Sequence, residues 1–264
     1  MNAIKKLLSV LVLSCMTLVM VACSSNSSGN DDNTLIVGFD QNFPPFGFQD
    51  ENGDYTGFDI ELAQEAAKRM GVEIVLQPID WDAKDMELES GTIDCIWNGF
   101  TINGREDQYT WTDAYMDNSQ VVVVRSDSGI DDLAGLEGKI VEVQKESSAQ
   151  SAIDDNEELK NSFSQYLQVA DYNTAMMDLE SGAVDAIAMD IFVAKDQIAN
   201  KDGAMKILDE SISSEQYGIG FLKGNEELRD QVQDVLKEMV KDGTFKSISE
   251  KWFDGVDVCI LKAE

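Results

Sequence analysis

The side chains that could do chemistry are few, and they point to recognition more than to catalysis. The 264 residues contain no histidine, so the commonest general base and the commonest zinc ligand are missing. No nucleophile–base pair has a recognisable spacing. Asp40 and Asp190 each follow an apolar run, and Arg105 follows Asn103-Gly104. An Asp at the end of a strand is either a helix cap or a ligand group. A lone Arg is either a surface residue or a fork that pairs with a carboxylate through two parallel hydrogen bonds. A carboxylate-binding Arg on one half of a molecule and an Asp on the other would suit a zwitterion that bridges the halves and holds them shut. Phe43, Phe46 and Trp81 fall in loops or at a helix start, where large rings are loop anchors or the wall of a binding site.

Three motif-like stretches fail on inspection. Asp50-x-Asn52-x-Asp54 with Glu61 imitates a calcium loop, but Tyr55 stands where the sharp turn needs Gly, so a hairpin turn is expected. Gly218-x-Gly220 lacks the third glycine of a dinucleotide loop, and Gly138-Lys139 runs into Ile140 instead of Ser or Thr. No metal and no cofactor is expected.

The elements that must position these groups show an internal repeat. Asp80–Ile96 and Asp171–Ile187 match at an offset of 91, with 8 of 17 positions identical, including Leu-Glu-Ser-Gly. Each copy reads as a helix, a Gly (Gly91, Gly182) in the left-handed C-cap position, and a short apolar strand, Ile93–Ile96 or Val184–Ile187. The strands lead to Asn98-Gly99 and to Asp190. Ligands of open α/β sheets bind beyond the carboxyl ends of the strands, so two such tips imply two lobes facing one another across a ligand. Around the repeat, Leu35–Phe39, Val72–Gln77, Ile140–Val143, Tyr166–Val169 and Lys206–Leu208 read as strands. Phe58–Met70, Ser147–Ile153, Ile191–Ala199, Glu226–Lys241 and Phe245–Trp252 read as helices, and two prolines exclude regular structure from Asp40 to Phe46. Val121–Val124 and Tyr217–Phe221 are the candidate crossings between lobes. The expected fold is α/β and two-lobed, each lobe a sheet flanked by helices, with two crossing strands. Residues 34–117 and 217–264 form the first lobe and 118–216 the second.

The chain carries 20 Lys and Arg against 50 Asp and Glu, a net charge of −30. That excludes the basic footprint of a nucleic-acid binder and suits anionic membranes poorly. Residues 1–22 read as a secretory signal: Lys5 and Lys6, then an apolar run from Leu7 to Ala22, short for a membrane span. Small residues before Cys23, then a polar tether to residue 33, resemble a bacterial lipoprotein signal in which Cys23 is lipidated. Attachment to the cell membrane would be through that anchor only. Cys95 and Cys259 remain as a disulfide or as two free thiols.

Gly57-Phe58-Asp59-Ile60-Glu61-Leu62, with Ala66-Ala67 and Met70, resembles the signature of the family 3 extracellular solute-binding proteins, the amino-acid receptors of ABC importers. Gly38-Phe39-Asp40 through Phe43-Pro44-Pro45-Phe46 and Gly243-Thr244-Phe245 through Lys251-Trp252-Phe253 are similar to that family as well. The resemblance implies a type II periplasmic-binding-protein-like fold and an extracytoplasmic, monomeric, non-enzymatic receptor that hands a free L-amino acid to permease membrane subunits. Carried over by position, Asp40 faces the ligand side chain, Phe43 and Trp81 sandwich it, and Asn98, Gly99 and Thr101 bind through main chain and hydroxyl. Ser147 and Ser148 donate to the carboxylate, Asp190 takes the α-ammonium, and Arg105 anchors the carboxylate from a loop one residue shorter than in many members. Glu142 and Glu146 stand where small residues are usual and are expected to add negative charge near the second-lobe anchor. With Asp40 they favour glutamine, arginine, lysine or ornithine. The alternative is a cleft enzyme resembling cyclohexadienyl dehydratases, with Glu142 or Glu146 as the acid. Its more anionic substrate would be repelled by Glu142, Glu146, Asp40 and Asp190.

Overall fold

The computed structural model describes residues 33–263; the signal, Cys23 and the tether before residue 33 lie outside the described residues. The first part of the chain forms β1 (Thr34–Phe39), β2 (Asn42–Phe43), β3 (Gly47–Gln49), β4 (Tyr55–Thr56), α1 (Phe58–Met70), β5 (Glu73–Pro78), α2 (Lys84–Ser90), β6 (Cys95–Thr101), β7 (Thr110–Trp111) and β8 (Met116–Arg125). There follow β9 (Ile140–Gln144), α3 (Ser148–Asp154), α4 (Glu157–Ser162), β10 (Gln165–Val169), α5 (Tyr172–Ser181), β11 (Ala186–Asp190), α6 (Ile191–Ile198) and β12 (Met205–Ile207). The chain closes with β13 (Ser213–Phe221), α7 (Glu226–Asp242) and α8 (Thr244–Trp252).

The strands run in the order β10-β9-β11-β8-β13-β6-β1-β5. Three strands at each end are parallel to one another, as helices between successive strands require. β8 and β13 join the two groups. Val121–Val124 of β8 lies antiparallel to β11, whereas Met116–Gln120 lies antiparallel to Ser213–Tyr217 of β13, whose remaining residues pair with β6. The two apolar runs read as crossings are thus the outer halves of longer strands. Their inner halves, Met116–Gln120 and Ser213–Gln216, carry Asn118, Gln120 and Glu215 and have no apolar alternation to betray them.

Local rules hold closely elsewhere. α1 buries Phe58, Ile60, Leu62, Ala63, Ala66 and Ala67, a helical stripe, and Gly71 ends it at φ 73 with its N–H on the carbonyls of Ala67 and Lys68. Gly91 and Gly182 end the two repeat helices at φ 76 and φ 78. The repeat strands, however, begin two residues later than the apolar run suggests. Asn98, Gly99 and Thr101 therefore lie within β6, and Asp190 is the last residue of β11. Pairing of β6 with β13 and of β11 with β8 extends the strands over the polar residues. Asn42 and Phe43 pair with β3 despite the prolines that follow. Cys95 is buried and Cys259 half-buried, and both thiols are free. The Asp50 loop is a turn, with Asp50 Oδ1 accepting from the N–H groups of Asn52 and Asp54 at 2.9 Å. No helix among the described residues is long and apolar enough to cross a membrane.

Candidate ligand-binding site

Between the two strand groups lies a cavity lined by Asp40, Phe43, Trp81, Asn98, Gly99, Thr101, Gln120, Gln144, Ser147, Ser148, Tyr172 and Asp190. Nine of the ten residues expected at the site are among them. The tenth, Arg105, stands beside it. Its guanidinium lies over Phe100 and donates to Ser148 Oγ at 2.9 Å, to the Thr101 carbonyl at 3.4 Å and to the Glu146 carbonyl at 3.3 Å. Burial holds its pKa below the usual guanidinium value. Arg105 and Ser148 also line a second, wider hollow.

Asp40 ends β1. Its Oδ1 accepts from Asn42 N at 2.8 Å, its Oδ2 accepts from Gln144 Nε2 at 2.7 Å, and its own N–H donates to Asn98 Oδ1 at 2.9 Å. Burial raises its carboxyl above the ordinary range, and its hydrogen bonds act in the opposite sense. Asp190 ends β11 and caps α6, with Oδ1 accepting from Phe192 N at 3.1 Å and Oδ2 accepting from Asn118 Nδ2 at 2.6 Å. Burial first, and then the Glu215 carboxylate, push Asp190 well above the carboxylate range. Such a group has no counter-charge among the described residues, and a cation that enters would favour its ionised form. Ser147 caps the short α3 by accepting from Gln150 N at 3.1 Å.

Gly99 is shaped from behind. At φ 55, a Cβ on it would sit 3.1 Å from the Phe43 ring and 3.3 Å from Tyr217. Its N–H donates to Asp59 Oδ2 at 2.5 Å, and Tyr115 Oη donates to both Asp59 oxygens at 2.9 Å. Complete burial of Asp59 pushes its carboxyl up from 3.8 to about 7. A raised folded-state pKa contributes stability that is full below the unfolded value and is lost as pH rises through about 7. A shift of this size is worth on the order of a few kcal/mol. Asp59→Asn therefore flattens the fall in melting temperature between pH 5 and pH 8, read by thermal unfolding at several pH values. Parallel curves for the two proteins would refute this.

Glu142 and Glu146, expected to add negative charge near the second-lobe anchor, do not line the cavity. Strand alternation puts Glu142 on the face of Gln144 but two residues back from the strand end. There it is buried beside Asp178 of α5, with its carboxyl pushed to about 7. The Glu146 side chain is exposed; its residue sits at φ 59, and its carbonyl accepts from Lys84 Nζ at 3.5 Å as well as from Arg105. The negative charge at the cavity wall comes from Asp40 and Asp190.

Three lining residues have no place in the sequence reading. Tyr172 is the counterpart of Trp81 at the repeat offset of 91, which could have revealed it. Gln120 and Gln144 carry no such mark. The two sides are tied across the cavity by Gln144 to Asp40, by a 2.6 Å ion pair of Lys145 with Asp82, and by Asn173 Nδ2 to Asn42 Oδ1 at 3.1 Å.

Two α/β lobes joined by a pair of crossing strands, with an aromatic and polar cavity between them, define a periplasmic-binding-protein-like receptor. The chain belongs to the bacterial extracellular solute-binding proteins, family 3, whose model matches residues 35–255. It is 36% identical over 231 residues to the L-cystine-binding protein TcyJ of Escherichia coli (strain K12), covering 85% of this chain and 84% of the relative. It is 31% identical over 259 residues to the arginine-binding extracellular protein ArtP of Bacillus subtilis (strain 168), covering 95% and 99%. Among solved structures, an ABC uptake transporter substrate-binding protein from Streptococcus pneumoniae with bound histidine superposes with a TM-score of 0.83. The two are 32% identical, with 86% of this chain and 95% of that one covered. These relatives are substrate-binding proteins of transport systems, not enzymes.

Proposed function

We propose that the protein captures a free polar L-amino acid between its lobes and delivers it to the membrane subunits of an ABC importer. The observation that carries this reading is the buried Asp190 carboxylate, which lacks a cation, in one cavity with Ser147, Ser148 and the aromatic pair Phe43 and Trp81. Arg105, bonded to Ser148, is the carboxylate anchor, and Asp190 takes the ammonium. Ligands as different as cystine, arginine and histidine, named for the relatives, share only the α-amino carboxylate, so the common chemistry belongs to these anchors. Removing charged groups from water costs several kcal/mol each, which only a ligand that pairs both charges offsets. Phe43 and Trp81 sandwich the side chain, Asn98, Gly99 and Thr101 add main-chain and hydroxyl contacts, and Asp40 favours glutamine, arginine, lysine or ornithine. The lobes divide at residues 34–117, 118–216 and 217–264. The protein acts as a monomer outside the cytoplasm, held at the cell membrane by a lipid on Cys23.

A thermal-shift screen of the domain from Ser24 onward, against the twenty amino acids with ornithine, citrulline and cystine, tests this. A ligand at 100-fold its Kd stabilises by roughly 2.7 kcal/mol, a rise of several degrees. The largest rises are expected from glutamine or the basic amino acids. Best binding by glutamate or aspartate would overturn the role of Asp40. A flat screen after unfolding and refolding would overturn the amino-acid assignment. The dehydratase alternative finds neither Glu142 nor Glu146 at the cavity wall, and conversion of arogenate or prephenate would be needed to revive it.

A further inference from the structure

Behind the cavity, on the inner half of β13, stands a carboxylate that none of the assigned roles uses. Glu215 is 6% exposed, and its Oε1 accepts three hydrogen bonds: from Thr101 Oγ1 at 3.0 Å, Asn118 Nδ2 at 2.7 Å and Gln120 Nε2 at 2.7 Å. A carboxylate has only acceptors to offer, so it dictates which way each partner turns. Thr101 has a single hydroxyl proton, and with that proton on Glu215 the cavity sees only lone pairs. Gln120, 3% exposed, turns its NH₂ to Glu215, so its Oε1 lies on the other side of the amide, where no protein group meets it. The same Asn118 NH₂ that reaches Glu215 also reaches Asp190. Thr101, Gln120 and Asp190 all line the cavity, and all three present acceptors there.

We propose that Glu215 is a positioning residue that sets the hydrogen-bond polarity of this corner, and that Gln120 is a specificity-determining contact to the ligand's α-ammonium. This rests on the amino-acid reading above. Buried acceptors left without donors are costly. An ammonium brings three N–H groups and no lone pair, whereas an α-hydroxyl brings one donor. A site built to receive N–H groups rejects analogues that lack them by factors on the order of 10⁴. The corner therefore selects amino acids over the matching 2-hydroxy acids, which keep the carboxylate and the side chain.

The test is calorimetric titration with L-arginine and L-glutamine, each against its 2-hydroxy analogue, for the wild type and for Glu215→Met, Glu215→Gln and Gln120→Leu. The wild type is expected to prefer the amino acid by at least about 100-fold. Glu215→Met frees Thr101 and Gln120 to turn and lowers that preference at least tenfold. Glu215→Gln keeps an acceptor oxygen and holds the preference within about threefold. Gln120→Leu, which leaves Glu215 in place and serves if Glu215→Met does not fold, lowers the preference about tenfold. Equal losses for amino and hydroxy acids, or no loss, would reduce Glu215 to a structural group and overturn the proposal. Glu215→Gln losing as much preference as Glu215→Met would overturn the orienting role in favour of charge alone. A wild type that binds none of the amino acids would instead overturn the proposed function itself.

Discussion

Asp190→Asn lowers amino-acid affinity by at least about 100-fold. The carboxylate is buried, and the bound ammonium would lose its only charged partner on that strand end. Removing one member of a buried pair costs about 3–5 kcal/mol, and each 1.4 kcal/mol is about a factor of ten. Asparagine retains an oxygen for the Phe192 N–H that Asp190 caps at 3.1 Å, but it sets an NH₂ against the Asn118 Nδ2 that now donates to Asp190. Rearranging that contact costs about 1–3 kcal/mol, so the domain stays folded with a melting point lowered by some degrees. Asp190→Ala loses the cap as well, at about 1 kcal/mol, and is the coarser probe. Calorimetric titration beside a melting curve separates the two effects. Wild-type affinity in Asp190→Asn would show that the ammonium sits elsewhere, and the second-lobe alignment would fall with it.

The largest effect on stability is expected from Gly57→Ala. Gly57 caps α1 at φ 136 and ψ 171, a region open only to glycine. A Cβ there would stand 2.2 Å from the Phe46 carbonyl oxygen, 2.5 Å from its carbon and 2.9 Å from Gly47 N. All three are main-chain atoms and cannot swing aside. The Phe46 carbonyl accepts from Asp59 N at 3.0 Å, and the Pro45 carbonyl from Phe58 N at 2.8 Å, so the loop and the helix start must move together. The disturbance reaches the ligand through Asp59, which holds the Gly99 N–H. A loss of at least about 3 kcal/mol follows, or roughly ten degrees in melting temperature for a domain this size. Gly71→Ala is the control: φ is 73, but no atom lies within 4 Å of the added methyl, and the cost is about 1–2 kcal/mol. Denaturant unfolding of both variants decides; equal losses would mean that the loop yields to the methyl.

How much could be read in advance depended on the range of the forces involved. The hydrophobic stripe of α1, its glycine stop and the Leu-Glu-Ser-Gly units are local, because backbone geometry and side-chain periodicity act over a few residues. The offset of 91 carried that local information across the chain. It paired Gly91 with Gly182 and pointed to the strand ends where Asn98 and Asp190 stand; Tyr172, at the same offset from Trp81, had no place in that reading. The resemblance centred on Gly57-Phe58-Asp59 accounted for nine of the twelve residues at the cavity wall. Glu142 shows where such reading stops. Its place in sequence suggested a charge near the ligand, yet two residues along a strand are a shift of about 6–7 Å, enough to carry its carboxyl away from the cavity and beside α5.

The sequence by itself determined the helices other than α4, the glycine caps, the repeated α/β unit and the chemical character of the site, since each follows from spacing along the chain. Only the tertiary structure decided that the polar stretches Met116–Gln120 and Ser213–Gln216 pair as the inner halves of the two joining strands. It alone brought Asn118, Gln120 and Thr101 onto Glu215, set Gln144 against Asp40, and stood Arg105 beside Ser148. These are contacts between strands and across the cavity, among residues about 40 to more than 110 positions apart in the chain. Hydrogen-bond partners at such separations are chosen by sheet register and lobe packing, which no local pattern of residues encodes.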